Sequence, residues 1–243
     1  MIGLGTLANM VAILFGSAIG LLFQGVLKQR FQTTIMNALG LAVMFVGISG
    51  ALQGLLVVKG DGLETANMTM MIVSLAIGAF LGELIDIEAR LDHMGESIKS
   101  TLKVKGEKGQ NFVEGFVSSS LLFCIGAMAI IGSLQDGLSG NASMLFAKSI
   151  IDGTVAIFIA STLGIGVIFS IIPLGIYQGG ITLSAKYIEP YLSEQMIANL
   201  SFIGSILIFG IGINMVFGKK IKCGNLLPAV LVPVIYELIT RLL

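Results

Sequence analysis

A chain of 243 residues that is 55% hydrophobic and 12% charged, with a mean hydropathy of +0.97, lacks the polar surface of a water-soluble fold, in which about 25% of residues are charged. Its net charge is zero, from 14 basic and 14 acidic residues, so the excess of base that marks a nucleic-acid-binding surface is missing. Two cysteines without a CxxC or Cys/His pair, Cys124 and Cys223, exclude a disulfide framework and a zinc site.

Crossing a bilayer takes about 20 mainly apolar residues, and cutting the chain at its charged and turn-rich segments yields an all-α, polytopic transmembrane bundle of about eight spans. They run from Leu4 to Gly25, Thr34 to Val57, Met68 to Ile87, Phe112 to Leu134, Met144 to Phe169, Pro173 to Ala185, Ile197 to Phe217 and Asn225 to Leu242. The first is expected to be retained, since no basic n-region or cleavage site precedes it. The sixth is short and holds Gly175, Gly179 and Gly180 between Pro173 and Pro190, so it is expected to be broken or re-entrant. Pro228 and Pro233 predict a kink in the eighth. Residues 1–243 read as a single transmembrane domain.

The positive-inside rule orients the bundle. With both termini outside, ten basic residues fall in the cytoplasm, Lys28, Arg30, Arg90, Lys99, Lys103, Lys105, Lys108, Lys219, Lys220 and Lys222, against four outside, Lys59, Lys148, Lys186 and Arg241. The cytoplasmic loop, 88–110, follows Ile87 with Leu91, Met94, Ile98 and Leu102 at helical spacing, which predicts an amphipathic helix lying at the interface. His93, on that helix, is the lone histidine and is expected to be solvated.

Weak internal repetition suggests duplicated halves. Gly50-Ala51-Leu52-Gln53-Gly54-Leu55 resembles Gly132-Ser133-Leu134-Gln135-Asp136-Gly137-Leu138, and Asn67-Met68-Thr69-Met70 resembles Asn141-Ala142-Ser143-Met144. A second match, of 40–45 with 204–209, would relate three helices at each end of the chain in opposite orientation.

A charge at the bilayer centre costs about 2.5–3.5 kcal/mol on insertion scales, so polar residues within spans are informative. Asp152 lies about 12 Å into the fifth span, as either a proton or cation site or a carboxylate at the helix entrance. No lysine or arginine is expected deep in any span, which leaves a buried carboxylate to be neutralised by a proton, a bound cation or water. Gln178 and Asn214 stand among glycines, where loosened helix frees backbone groups to line a cavity. Thr182, Asn9, Gln135, Asn225 and Glu83 complete the candidate binding set, although interhelical hydrogen bonding explains most amides equally well. Gly16-Ser17-Ala18-Ile19-Gly20 follows no strand and reads as a small-residue packing face.

No phosphate loop, HExxH or GxSxG is present, and neither a cofactor, a metal site nor a catalytic residue is expected. Gly5-Thr6-Leu7-Ala8-Asn9, Leu122-Phe123-Cys124-Ile125-Gly126-Ala127-Met128-Ala129-Ile130, Ser133-Leu134-Gln135-Asp136-Gly137-Leu138, Tyr177-Gln178-Gly179 and Gly212-Ile213-Asn214-Met215 closely resemble the bacterial membrane family called domain-of-unknown-function 554, the YqgA/YdfK-like proteins, nearly end to end. The resemblance implies a bacterial cytoplasmic-membrane protein and leaves its substrate open. A small secondary transporter, with proton or cation coupling as an option, fits the polar groups best; a channel and a non-transporting scaffold or sensor are the alternatives. The expected partners are lipid and a small solute or ion, and the small-residue faces also admit a homodimer. With no base in the core, a neutral or cationic solute fits more easily than an anion.

Overall fold

The computed structural model describes residues 1–24, 28–59, 62–103 and 111–242. Gly25, Lys105, Lys108, Gln110 and the side chain of Arg241 lie outside the described residues. The helices are α1 (Leu4–Phe23), α2 (Gln29–Leu55), α3 (Met68–Ile85), α4 (Ile87–Thr101), α5 (Phe112–Cys124), α6 (Ala127–Ser139), α7 (Ser143–Leu163), α8 (Ile171–Ile188), α9 (Glu194–Phe217) and α10 (Val232–Leu242). A hairpin of β1 (Leu56–Lys59) and β2 (Gly62–Thr65) follows α2, so Val57, placed in a span by hydropathy, belongs to a strand.

Five helical runs are long and apolar enough to cross a membrane, six if α5 and α6 form one broken crossing. Exposed apolar side chains such as Phe45, Phe80 and Leu84 require hydrocarbon as their solvent. The eight expected segments map onto these runs unevenly. The fourth is not continuous: α5 and α6 meet at a 62° bend, where Gly126 takes φ +141°. The fifth and sixth belong to one helical run of 49 residues, Ser143–Tyr191. A straight helix of that length would measure about 74 Å, over twice the roughly 30 Å hydrocarbon core. It turns instead through a 3₁₀ segment, Gly164–Ser170, which Gly164 opens at φ +79°. Contrary to expectation, α8 passes through Gly175, Gly179 and Gly180 as unbroken helix, and the interruption falls before it. The eighth segment is a 3₁₀ turn, Leu227–Leu231, with Pro228 at its start, followed by the short α10. Its change of helix type matches what the prolines predict.

The chain divides into two compact units. Unit 1 holds residues 1–39, 89–124 and 128–189. Within it α1 and α7 run parallel, with Gly16 against Gly153 and Gly20 against Ile157. A Cβ on Gly16 would lie 2.1 Å from the Gly153 carbonyl oxygen, so only glycine allows this approach. The small-residue reading of Gly16 to Gly20 is thus borne out. α8 runs antiparallel to α1: Gly175 meets Met10, whereas Thr182 and Ala185 meet Gly137, whose neighbour Asp136 binds Gly3 and Gly5. α4 is helical as expected, with Gly95 packed on Phe116 and Val113 of α5 and His93 exposed.

Unit 2 holds residues 40–88, 125–127 and 190–243. In it α2 and α9 pack antiparallel, Gly40 against Val216, Gly47 against Phe209 and Gly54 against Phe202. The 3₁₀ turn lies antiparallel along α3, with Gly78 at Ala229 and Gly82 at Asn225. The alternation of eight crossings predicts the same relative directions for all these pairs.

Candidate functional site

The polar residues of unit 1 converge where α1, α7 and α8 meet. Lys148 and Asp152 stand one turn apart on the same face of α7 and form an ion pair, each only 6% exposed. This corrects the expectation of a core without base: Lys148, placed by charge counting in outer water, is the buried counter-ion of Asp152, as its flexible stem allows. Asp152 is correspondingly not a carboxylate facing water at a helix entrance.

Lys148 Nζ also donates to the carbonyl oxygen of Phe123 at 2.9 Å. Phe123 lies in the last turn of α5, where the break at Ile125 and Gly126 leaves carbonyls without helical donors. The ammonium therefore sits at the negative end of a half-helix as well as on a carboxylate.

Asn9 Nδ2 donates to Asp152 Oδ2 at 2.9 Å and to Gln178 Oε1 at 3.4 Å. The carboxylate sets the polarity of this relay, because a flipped Asn9 would point an oxygen at Asp152. Both amides are fully buried, and among the described residues Asn9 Oδ1 and Gln178 Nε2 have no partner. The hydroxyls of Thr6, one turn before Asn9, and Thr182, one turn after Gln178, are likewise buried and unpartnered. Leaving such a group unsatisfied costs about 1–3 kcal/mol, and all four stand on the facing helices α1 and α8.

Of the sequence candidates, the structure brings Asp152, Asn9, Gln178 and Thr182 into this seam. Asn214 is occupied elsewhere: its Nδ2 donates to the Ile221 carbonyl and its Oδ1 accepts from the amides of Lys220 and Ile221, which holds the loop after α9. Asn225 accepts from the Glu88 amide and donates to Glu83 and Asp86. Glu83 is exposed and also pairs with Lys222. That bond to Glu83 holds the Lys222 ammonium above the usual lysine range. Burial pushes the Cys223 thiol in the same loop up to about 12, with Glu88 adding to the shift. Gln135 is half-buried on α6.

Two buried charged residues escape sequence reasoning. Lys148 is one; the spacing Lys148 to Asp152, i to i+4, was the available signal. Asp136 is the other: fully buried on α6, it accepts from the amides of Gly3 at 3.1 Å and Gly5 at 2.9 Å. It supplies the cap that α1 lacks, since Gly3 has no side chain to offer.

Residues 4–238 match the family described as "Protein of unknown function (DUF554)". The chain belongs to this family. This DUF554 chain is 33% identical over 229 residues to the uncharacterised membrane protein YdfK of Bacillus subtilis (strain 168), covering 94% of itself and 93% of that relative. It is 30% identical over 230 residues to the uncharacterised protein YqgA of Escherichia coli (strain K12), with 94% and 93% covered. No solved structure matches it. Kinship and the apolar helices together make this DUF554 chain a membrane protein.

Proposed function

We propose that the chain is a secondary transporter of a small solute in the bacterial cytoplasmic membrane, with its binding site in the seam of α1, α7 and α8. The reading is carried by the Lys148, Asp152, Asn9 and Gln178 network, in which a neutralised charge pair adjoins one free acceptor and one free donor, both fully buried. Interhelical bonding alone would close those valences, whereas a ligand site leaves them open until it fills. α5 ends just after Phe123, whose carbonyl Lys148 holds, and such breaks are how transporters expose backbone carbonyls within a membrane.

A site of zero net charge with both donor and acceptor favours neutral or zwitterionic solutes or a small cation. In proteoliposomes screened with such solutes, uptake is expected to saturate with concentration and to fall to background in Asp152→Asn. Unsaturable conductance would identify a channel instead, and wild-type flux equal to that of Asp152→Asn would remove the site.

The charge bias supports an orientation with both termini outside. In a chain with Cys124 and Cys223 replaced by alanine, Val58→Cys on the hairpin is expected to react with an impermeant maleimide added to whole cells. Ser97→Cys on α4 is expected to react only after the membrane is opened. The reverse pattern would invert the topology.

A further inference from the structure

We propose that the β1–β2 hairpin docks on the membrane surface, with Val58 and Leu63 dipping into the boundary between lipid headgroups and acyl chains. The inference is independent of the transport reading, because no residue of the α1, α7 and α8 seam takes part in it.

Register decides which side chains of the hairpin share a face. Leu56 lies opposite Thr65, Val57 opposite Glu64, Val58 opposite Leu63 and Lys59 opposite Gly62, and successive residues along a strand alternate between faces. Leu56, Val58, Leu63 and Thr65 therefore form one face, and Val57, Lys59, Gly62 and Glu64 the other. The diagonal ion pair of Lys59 with Glu64, at 3.1 Å, agrees with that division. Both charges of the described strands thus stand on one side. The face opposite holds Val58 at 80% exposure and Leu63 at 68%, comparable with the lipid-facing Phe80 at 71% and Leu84 at 75%.

The helices set the height of this apolar face. The uncharged stretch of α2 from Ile35 to Leu55 measures about 30 Å at the helical rise, which matches the roughly 30 Å hydrocarbon core. With that stretch in hydrocarbon, β1 starts where the headgroups begin. Apolar side chains are exposed up to the foot of the hairpin, Leu52 on α2 and Met68 and Ile72 on α3, so the lipid-facing surface continues into it. Two bonds tie the base to the end of α2: the Ala66 amide donates to the Leu55 carbonyl at 2.7 Å, and Asn67 Nδ2 to the Gly54 carbonyl at 3.0 Å. Lys59 is outnumbered by Asp61 and Glu64, so anionic headgroups offer no attraction and apolar contact supplies the affinity. The headgroup layer is wet, which leaves a thiol at position 58 within reach of a water-borne maleimide.

The chain contains no tryptophan, so a single substituted tryptophan reports alone. The full chain is reconstituted in phosphatidylcholine vesicles as Val58→Trp, as Leu63→Trp and, for the charged face, as Glu64→Trp. Tryptophan favours the interface wherever it is placed, so the difference between the faces is the readout. Val58→Trp and Leu63→Trp are expected to emit at shorter wavelength than Glu64→Trp. They are also expected to be quenched several-fold more by phosphatidylcholine brominated near the headgroup end of its chains. Both positions are exposed, and Leu63→Trp decides if Val58→Trp is not recovered folded. Equal emission and quenching on the two faces overturn the proposal. So does short-wavelength emission that brominated lipid leaves unquenched; a disulfide-linked dimer of Val58→Cys, with Cys124 and Cys223 replaced by alanine, would then assign the face to a second copy of the chain.

Discussion

Asp152→Ala is expected to destabilise the protein by about 3–5 kcal/mol, the cost of stranding one member of a buried ion pair. Lys148 would keep its ammonium in the seam with only the Phe123 carbonyl as partner, and Asn9 would lose the acceptor that orients its amide. The double variant Lys148→Met, Asp152→Leu removes both charges and should recover most of that loss, since replacing a whole buried pair with apolar groups is often neutral or stabilising. Thermal unfolding of detergent-solubilised protein, read by the monodisperse fraction on size exclusion, separates the two. A pair kept for function predicts a stable double variant without uptake. A double variant as unstable as Asp152→Ala would show that the pair is needed to hold the three helices together.

Gly16→Val is expected to be among the most damaging apolar substitutions in unit 1. Its Cβ would meet the Gly153 carbonyl at 2.1 Å and the neighbouring carbonyl carbon at 2.9 Å, and backbone cannot rotate away as a side chain can. The cost should therefore reach or exceed the top of the roughly 1–3 kcal/mol typical of overpacking. It would also spread α1 from α7 and so pull Asn9 from Asp152. Gly179→Ala on α8 is the matched control: nothing lies within 4 Å of its Cβ, and removing glycine from a helix interior favours the helix by up to about 1 kcal/mol. Comparing the two melting shifts checks the assignment, and equal shifts would mean that α1 and α7 do not cross at Gly16.

The membrane character, the amphipathic α4 and the small-residue face of α1 were all legible in the residues. Each depends on properties that add along a short stretch: hydropathy over about twenty residues, spacing over three or four, small size at one crossing. Asp152, Asn9, Gln178 and Thr182 stood out for the same reason, as polar groups inside apolar runs. Asn214 stood out too, yet its polar atoms are taken by the loop at Lys220 and Ile221. An amide that holds its own loop and one that lines a seam look alike in sequence, because the difference lies in what approaches them.

What the sequence determined by itself is therefore the solvent of this protein: apolar runs separated by short polar segments leave only hydrocarbon as surroundings, and that follows from local composition. Tertiary structure alone decided that Lys148 lies inside, that Asp136 caps a helix more than a hundred residues away, and that α1 packs against α7. Each of these is a pairing between distant segments, and the energy of a buried charge depends on the partner beside it, which no single stretch of chain encodes.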